Sequence, residues 1–365
     1  MVTELAEIDS PALIVDLDVM EANLASMTQL AGSNGIDLWP NIKGHKIPAL
    51  AWRQVRAGAA GITCQKLSEA EVMVNAGFTD VLVAVQVIGA QKIERLLRLA
   101  RRVRLITVVD SLEGATAISE VFARQDRTIE VFLEIDMGYR RCGVNAADAP
   151  ALGRRISQLP GLELIGVMGY EGHIYDLSGK VEVLIAARKS YELLIGASAS
   201  LRDAGIDAPR VSVGASAGVE VAVETPGITE IRAGSYLMND RAQIAMGAAD
   251  SARCAATVLA TVISVPNPSL TVIDAGAKAL TATTLPGLAG YGLILGNGDA
   301  ILERLSDEHG MIATGGGGNP FHVGDRVRII PNSHTVVFNQ FAEVYGVRNG
   351  KVEVVLPVAA RGMMQ

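Results

Sequence analysis

Eight short aliphatic runs separated by amphipathic stretches follow one another between residues 37 and 234, and this rhythm leaves the chain few folds to adopt. The runs fall at 37–43, 61–65, 80–87, 103–109, 129–136, 162–169, 210–214 and 228–234. Apolar residues return at helical spacing over 19–31, 66–76, 93–101, 112–123, 147–158 and 181–204. Right-handed βαβ crossovers close on themselves at eight strands, so the pattern predicts a (β/α)₈ TIM-like barrel. With 49% hydrophobic but only 4% aromatic residues, the core must be built from Ala, Val, Ile and Leu, as buried parallel strands require.

Past residue 250 the helical period fades. Strands are expected at 255–265, 270–273, 293–295, 310–313, 326–330, 335–338, 343–347 and 351–355, joined by Gly, Asn and Pro turns. Segment 314–320, with its four consecutive glycines, reads as a flexible or tight connection. The expected division is a barrel over 16–248 and an all-β domain over 249–365, with residues 1–15 packing on the latter.

A formal charge of −7 leaves no basic footprint for nucleic acid or an anionic membrane. The first twenty residues lack a basic n-region followed by an apolar h-region, and no apolar run spans a bilayer, so a cytoplasmic location is expected. Cys64, Cys142 and Cys254 are an odd set without CxxC spacing and read as reduced thiols.

Barrel active sites lie at the carboxyl ends of the strands. The first run ends in Asn41-Ile42-Lys43-Gly44-His45-Lys46, where a partly desolvated lysine could form an imine with a carbonyl. On spacing alone, Lys43 and Lys46 read equally well as exposed loop lysines. After the fifth run, Arg140 or Arg141 could turn inward toward an anionic oxygen, or form a surface pair. Tyr170 and His173 follow the sixth run as candidates for cofactor contact or proton transfer, or as structural residues. Gly214 to Gly218 and Gly234 to Tyr236 follow the last two runs, where barrels often cradle a phosphate; simple tight turns are the plainer reading.

Together these segments resemble the D-threonine aldolase and D-serine dehydratase family, which shares its fold with alanine racemase. The likeness runs from Ser10-Pro11-Ala12-Leu13 through Lys43-Gly44-His45-Lys46, Cys64-Gln65-Lys66-Leu67 and Arg141-Cys142-Gly143-Val144. It continues through Ile273-Asp274-Ala275-Gly276, Ser306-Asp307-Glu308-His309 and Gly324-Asp325-Arg326. The resemblance implies a pyridoxal 5'-phosphate enzyme in which Lys43 carries the cofactor and Gln65, Arg141 and Tyr170 contact it. It further implies that Gly214, Ser216, Gly234, Ser235 and Tyr236 hold the phosphate, and that the chain forms a homodimer.

Two departures bear on the chemistry. Where the family commonly has Arg-Pro-His, this chain has Trp39-Pro40-Asn41. Within Pro331-Asn332-Ser333-His334-Thr335, the positions at which the family places a histidine and a cysteine or aspartate that hold a divalent metal are Ser333 and Thr335. Hydroxyls are poor substitutes for those ligands, so no tightly bound metal is expected, although a one-residue shift would bring His334 to the site. The expected function is a lyase acting on a β-hydroxy-D-amino acid, by retro-aldol cleavage or by elimination, with His334 or His309 assisting at the hydroxyl. The alternatives are a metal-independent amino-acid racemase on the same cofactor and a non-catalytic cofactor carrier.

Overall fold

A computed structural model of the protein describes residues 4–314 and 318–365; part of the expected glycine-rich connection, 315–317, lies outside the described residues. The first strand, β1 (Ala12–Asp16), runs directly into a helix at Leu17–Ser33, where the Asp16 side chain accepts from Val19 N at 3.1 Å and so caps the first turn. Eight parallel strands follow: β2 (Asp37–Leu38), β3 (Ile62–Cys64), β4 (Asp80–Gln86), β5 (Arg104–Val109), β6 (Ile129–Ile135), β7 (Leu162–Gly169), β8 (Arg210–Val213) and β9 (Glu230–Ile231). Their order is β2-β9-β8-β7-β6-β5-β4-β3, and a parallel bridge between Asn41 and Thr63 joins the two end strands. The barrel is therefore closed, with helices between consecutive strands.

Side chains fill its interior. Trp39, Leu82, Ile106, Val108, Phe132, Ile165 and Met168 form one buried cluster, and the Arg210 guanidinium lies over both Trp39 and Phe132 at 5.5 and 5.0 Å. Gly61 is small because any Cβ there would overlap the Trp39 indole. Below this layer Arg210 pairs with Glu230 and, at 3.3 Å, with Glu130, so the lower end is plugged by an ion cluster. The upper end remains for chemistry.

The remaining strands are β10 (Ala256–Asn267), β11 (Leu270–Ile273), β12 (Gly292–Ile294), β13 (Ile301–Leu305), β14 (Gly310–Ala313), β15 (Arg326–Pro331), β16 (Glu343–Arg348) and β17 (Lys351–Pro357). They join β1 in a sheet ordered β11-β14-β13-β12-β15-β10-β1-β16-β17. Strand β1 lies between β10, antiparallel, and β16, parallel, which sews the start of the chain into the second sheet.

Two local expectations are corrected, and one strand is added. Residues 335–338 are not a strand but part of a helix, His334–Phe338. The β-branched Thr335, Val336 and Val337 favour a strand only weakly, and burial of His334, Val337 and Phe338 at i, i+3 and i+4 decides for one helical turn. The run at 37–43 is a strand only at its start, and residues Ile42–Gly44 turn in a 3₁₀ conformation capped by Asn41, whose Oδ1 accepts from Lys43 N at 3.2 Å. Strand β13 was not expected from the sequence, because Glu303 and Arg304 dilute its apolar signal.

Candidate active site

Above the plugged core, the ends of the strands surround a partly open cavity lined by Lys43, Glu134, Arg141, Tyr170 and Arg232. Lys43 reaches it from the 3₁₀ turn after β2, with Nζ 5.7 Å from the centre of the Tyr170 ring. Its amine makes no ion pair among the described residues. Burial, followed by the Arg141 charge, pushes its pKa below the ordinary lysine value; Arg232 adds to this, and Glu69 opposes it. An amine held this way loses its proton readily and becomes a nucleophile.

Arg141 sits across the mouth with its guanidinium 5.2 Å from Tyr139 and 5.0 Å from Tyr170, and 3.9 Å from Glu134 Oε1. Tyr139 and Tyr170 themselves meet edge to face at 5.7 Å. Burial raises the Tyr170 pKa well above its usual value, so this side chain stays a neutral phenol.

The loops after β8 and β9 form the opposite wall. Any Cβ on Gly214 would overlap the Tyr170 ring, and one on Gly234 would lie 2.6 Å from the Asn41 carbonyl oxygen. Both glycines therefore allow a backbone approach that other residues forbid. The 3₁₀ turns Ser216–Gly218 and Ser235–Leu237 begin at the cavity wall, and the first N–H groups of such turns have no partner within the turn. The Gly214 and Ala215 N–H groups are already committed, donating to the Glu171 carboxylate at 3.3 and 2.8 Å.

Of the residues singled out from the sequence, Lys43, Gln65, Arg141, Tyr170, Gly214, Ser216, Gly234 and Ser235 all line this cavity. Thr335 lines it too. Three others do not. Tyr236 points away: its hydroxyl accepts from Gln54 Nε2 at 2.8 Å, and only its backbone N–H approaches the site, donating to Ser216 Oγ at 3.0 Å. His334 is fully buried, with Nδ1 2.7 Å from Asp240 Oδ2, so its ring does not reach the substrate space as expected. His309 is exposed on the turn between β13 and β14, beside Ser306, away from the cavity of its own chain.

Four residues of the site carried no assigned role in the sequence. Arg232 is a buried cation at the cavity floor, donating to Ser212 Oγ and Gly169 O, both at 2.6 Å. Glu134 lines the cavity, and Gln86 donates to it. Asn41 lines it and donates to Gln65 Oε1 at 3.3 Å. Glu171, behind the wall, accepts from the Tyr191 hydroxyl at 2.6 Å. Each lies at the end of a barrel strand or just beyond it, which was the one available signal.

Residues 15–242 match the alanine racemase N-terminal domain, and residues 255–347 match the serine dehydratase domain. The D-threonine aldolase of Arthrobacter sp is 32% identical, over 98% of this chain and 94% of that protein. This chain belongs to the D-threonine aldolase and D-serine dehydratase family. Another member, the D-threo-3-hydroxyaspartate dehydratase of Delftia sp. (strain HT23), is 34% identical over 92% of this chain and 93% of its own length. Among solved structures, the D-threonine aldolase of Filomicrobium marinum superimposes with a TM-score of 0.92 at 33% identity, covering 100% of this chain and 99% of the other. Family members of this architecture thus share both the barrel and the second sheet.

Proposed function

We propose that the protein is a pyridoxal-phosphate-dependent lyase that acts on a β-hydroxy-D-amino acid. The observation that carries this reading is the Lys43 amine, unpaired and depressed in pKa, facing a wall of close-approach glycines and flanked by the guanidinium groups of Arg141 and Arg232. Such a set suits a phosphorylated aldehyde: an amine to bond the carbonyl, glycines and free turn N–H groups for the phosphate, and cations for its anionic oxygens. When bound, pyridoxal phosphate supplies the electron sink for charge that develops at the substrate's α-carbon.

The chain's own groups supply position and protons. Lys43 would hold the cofactor and keeps a basic nitrogen in the cavity that could move a proton at one face of the substrate's α-carbon. Arg141, stacked on Tyr139 and Tyr170, presents fixed N–H donors to an anionic oxygen. Buried Arg232 holds a permanent positive charge under the reacting centre. Tyr170 forms an apolar wall that limits water around the amine.

We assign residues 16–248 to the catalytic barrel and 249–365, with 1–15, to the second domain. No described helix is long and apolar enough to cross a membrane, and the described cysteines are free, which supports a cytoplasmic location. The mouth beside Tyr139, 38% exposed, is open in a single chain, which supports a homodimer in which a second copy covers it.

Purified protein incubated with D-threonine, D-serine and 3-hydroxyaspartate tests the reading. Glycine plus aldehyde identifies an aldolase, and keto acid plus ammonia a dehydratase. Inversion alone identifies a racemase and overturns the lyase assignment, as does the absence of any turnover with β-hydroxy-D-amino acids. A cofactor carrier would bind pyridoxal phosphate without a spectral response to amino acids.

A further inference from the structure

We infer that this chain works without a resident divalent metal, and that Thr335 is the residue that positions the substrate's β-hydroxyl. The inference rests on the lyase reading above for the identity of the substrate, but its metal part can be tested separately.

The segment that would carry a metal in this family has the wrong donors here. Ser333 and Thr335 offer neutral hydroxyls, which hold a divalent ion far more weakly than imidazole, thiolate or carboxylate. Between them His334 cannot be recruited. Successive residues of a helix do not share a face, and His334 is fully buried behind the wall of the cavity that Thr335 lines. Its backbone N–H and Nδ1 both bond Asp240 Oδ2, at 3.0 and 2.7 Å, and Nε2 abuts Gly44, where a Cβ would lie 3.1 Å away. Turning it outward would forfeit the ring's bond to Asp240 and leave that carboxylate oxygen short of a donor.

The surrounding carboxylates are committed as well. Asp240 Oδ1 accepts from Gln243 N at 3.1 Å, Glu69 pairs with Lys46 at 3.1 Å, Glu134 accepts from Gln86, and Glu171 takes Tyr191 and two backbone N–H groups. Among the described residues no three His, Cys, Asp or Glu side chains are grouped to hold an ion.

Hydrogen bonds fix this segment in place. Asn332 Nδ2 donates to Thr283 O at 2.8 Å and Gly290 O at 3.0 Å, and Asn339 Oδ1 accepts from Lys46 Nζ at 2.8 Å. The short helix between these anchors sets Thr335 in the same cavity wall as Lys43, Gly44 and Ser235. A threonine hydroxyl can donate one hydrogen bond and accept others, so it can orient an alcohol without an ion.

Two measurements on the holoenzyme test this. First, chelator-treated protein is titrated with Mn²⁺ and followed by electron paramagnetic resonance. No saturable site is expected, and turnover is expected to be unchanged by chelator; the double variant Ser333→His/Thr335→Asp should gain one Mn²⁺ per chain. A stoichiometric Mn²⁺ site in the unaltered protein, lost in Thr335→Val, would overturn the inference. Second, Thr335→Val should lower kcat/KM for the β-hydroxy-D-amino acid about tenfold, the loss of one hydrogen bond. Thr335→Ser should restore it, and the spectral response to D-alanine, which lacks the hydroxyl, should be unchanged. Equal loss with both variants, or a changed D-alanine response, rejects the positioning role. If no β-hydroxy-D-amino acid is turned over at all, the lyase reading and the role of Thr335 fall together, while the Mn²⁺ titration still decides the metal.

Discussion

Asp240 Oδ2 accepts two hydrogen bonds from one residue, the backbone N–H of His334 at 3.0 Å and its Nδ1 at 2.7 Å. Through this pair, the loop after β9 fixes the helix that brings Thr335 to the cavity. Replacing Asp240 by Ala strands a buried imidazole and should cost about 1–3 kcal/mol. Asp240→Asn keeps an acceptor and should cost less. Urea unfolding of the two variants against the parent measures the difference, and equal midpoints for parent and Asp240→Ala would refute it.

Lys43 should be the only lysine labelled when the cofactor-bound protein is reduced with borohydride and digested. Lys43→Ala should lose the near-visible absorbance of the bound cofactor and reduce turnover by roughly 10²–10⁴-fold, the usual range for removing an acid/base group. A label on Lys46, which is paired with Glu69 at 3.1 Å, would move the chemistry to a different nitrogen.

Arg141 is the largest charge that depresses the Lys43 pKa. Arg141→Gln should therefore shift the pH at which apoprotein captures pyridoxal phosphate upward, toward the ordinary lysine range. Absorbance-monitored capture across pH 7–11 reads this directly. A downward or absent shift means that burial alone sets the amine.

Gly234→Ala should weaken cofactor retention more than a loop substitution usually does. The new methyl would meet a backbone carbonyl, Asn41 O, at 2.6 Å, and that atom cannot rotate aside as a side chain could. Overpacking of this kind costs about 1–3 kcal/mol. Equilibrium dialysis of pyridoxal phosphate should show affinity falling by roughly ten- to a hundredfold.

His45 gives the protein an acid-sensitive element. It is buried and neutral, with Nδ1 accepting from Ile47 N at 3.0 Å and Nε2 3.2 Å from Gln54 Oε1. Burial lowers its pKa from 6.5 to about 4, with the nearby His334 charge adding to it and the Gln54 bond opposing it. The unfolded chain therefore binds this proton more readily than the folded one. Stability from this group is complete above pH 6.5 and is lost progressively as pH falls to about 4, by at most about 3 kcal/mol. Thermal melts between pH 7 and 4 should decline less steeply for His45→Gln than for the parent; parallel curves would count against the mechanism.

The barrel was legible in the sequence because a period of two and a period near 3.6 need only neighbouring residues to be seen. The resemblance likewise located Lys43, Arg141, Tyr170 and the two glycine segments, all of which meet in one cavity. What lay beyond reach was contact between residues far apart in the chain. Glu171 reaches the wall after β8, Arg232 lies beneath the mouth, and His334 turns toward Asp240, 94 residues away.

Chain order and side-chain chemistry alone thus determined the alternating architecture, the strand ends where chemistry can occur, and the hydroxyl donors at 333 and 335. The tertiary structure alone decided that residues 335–338 coil instead of extending, that His334 faces the interior while Thr335 faces the cavity, and that Tyr236 turns its ring away. The reason is energetic. Local preference for strand or helix is worth only tenths of a kcal/mol per residue, whereas burying an apolar face and satisfying a buried carboxylate are each worth about 1–3 kcal/mol, and those terms exist only once distant segments have met.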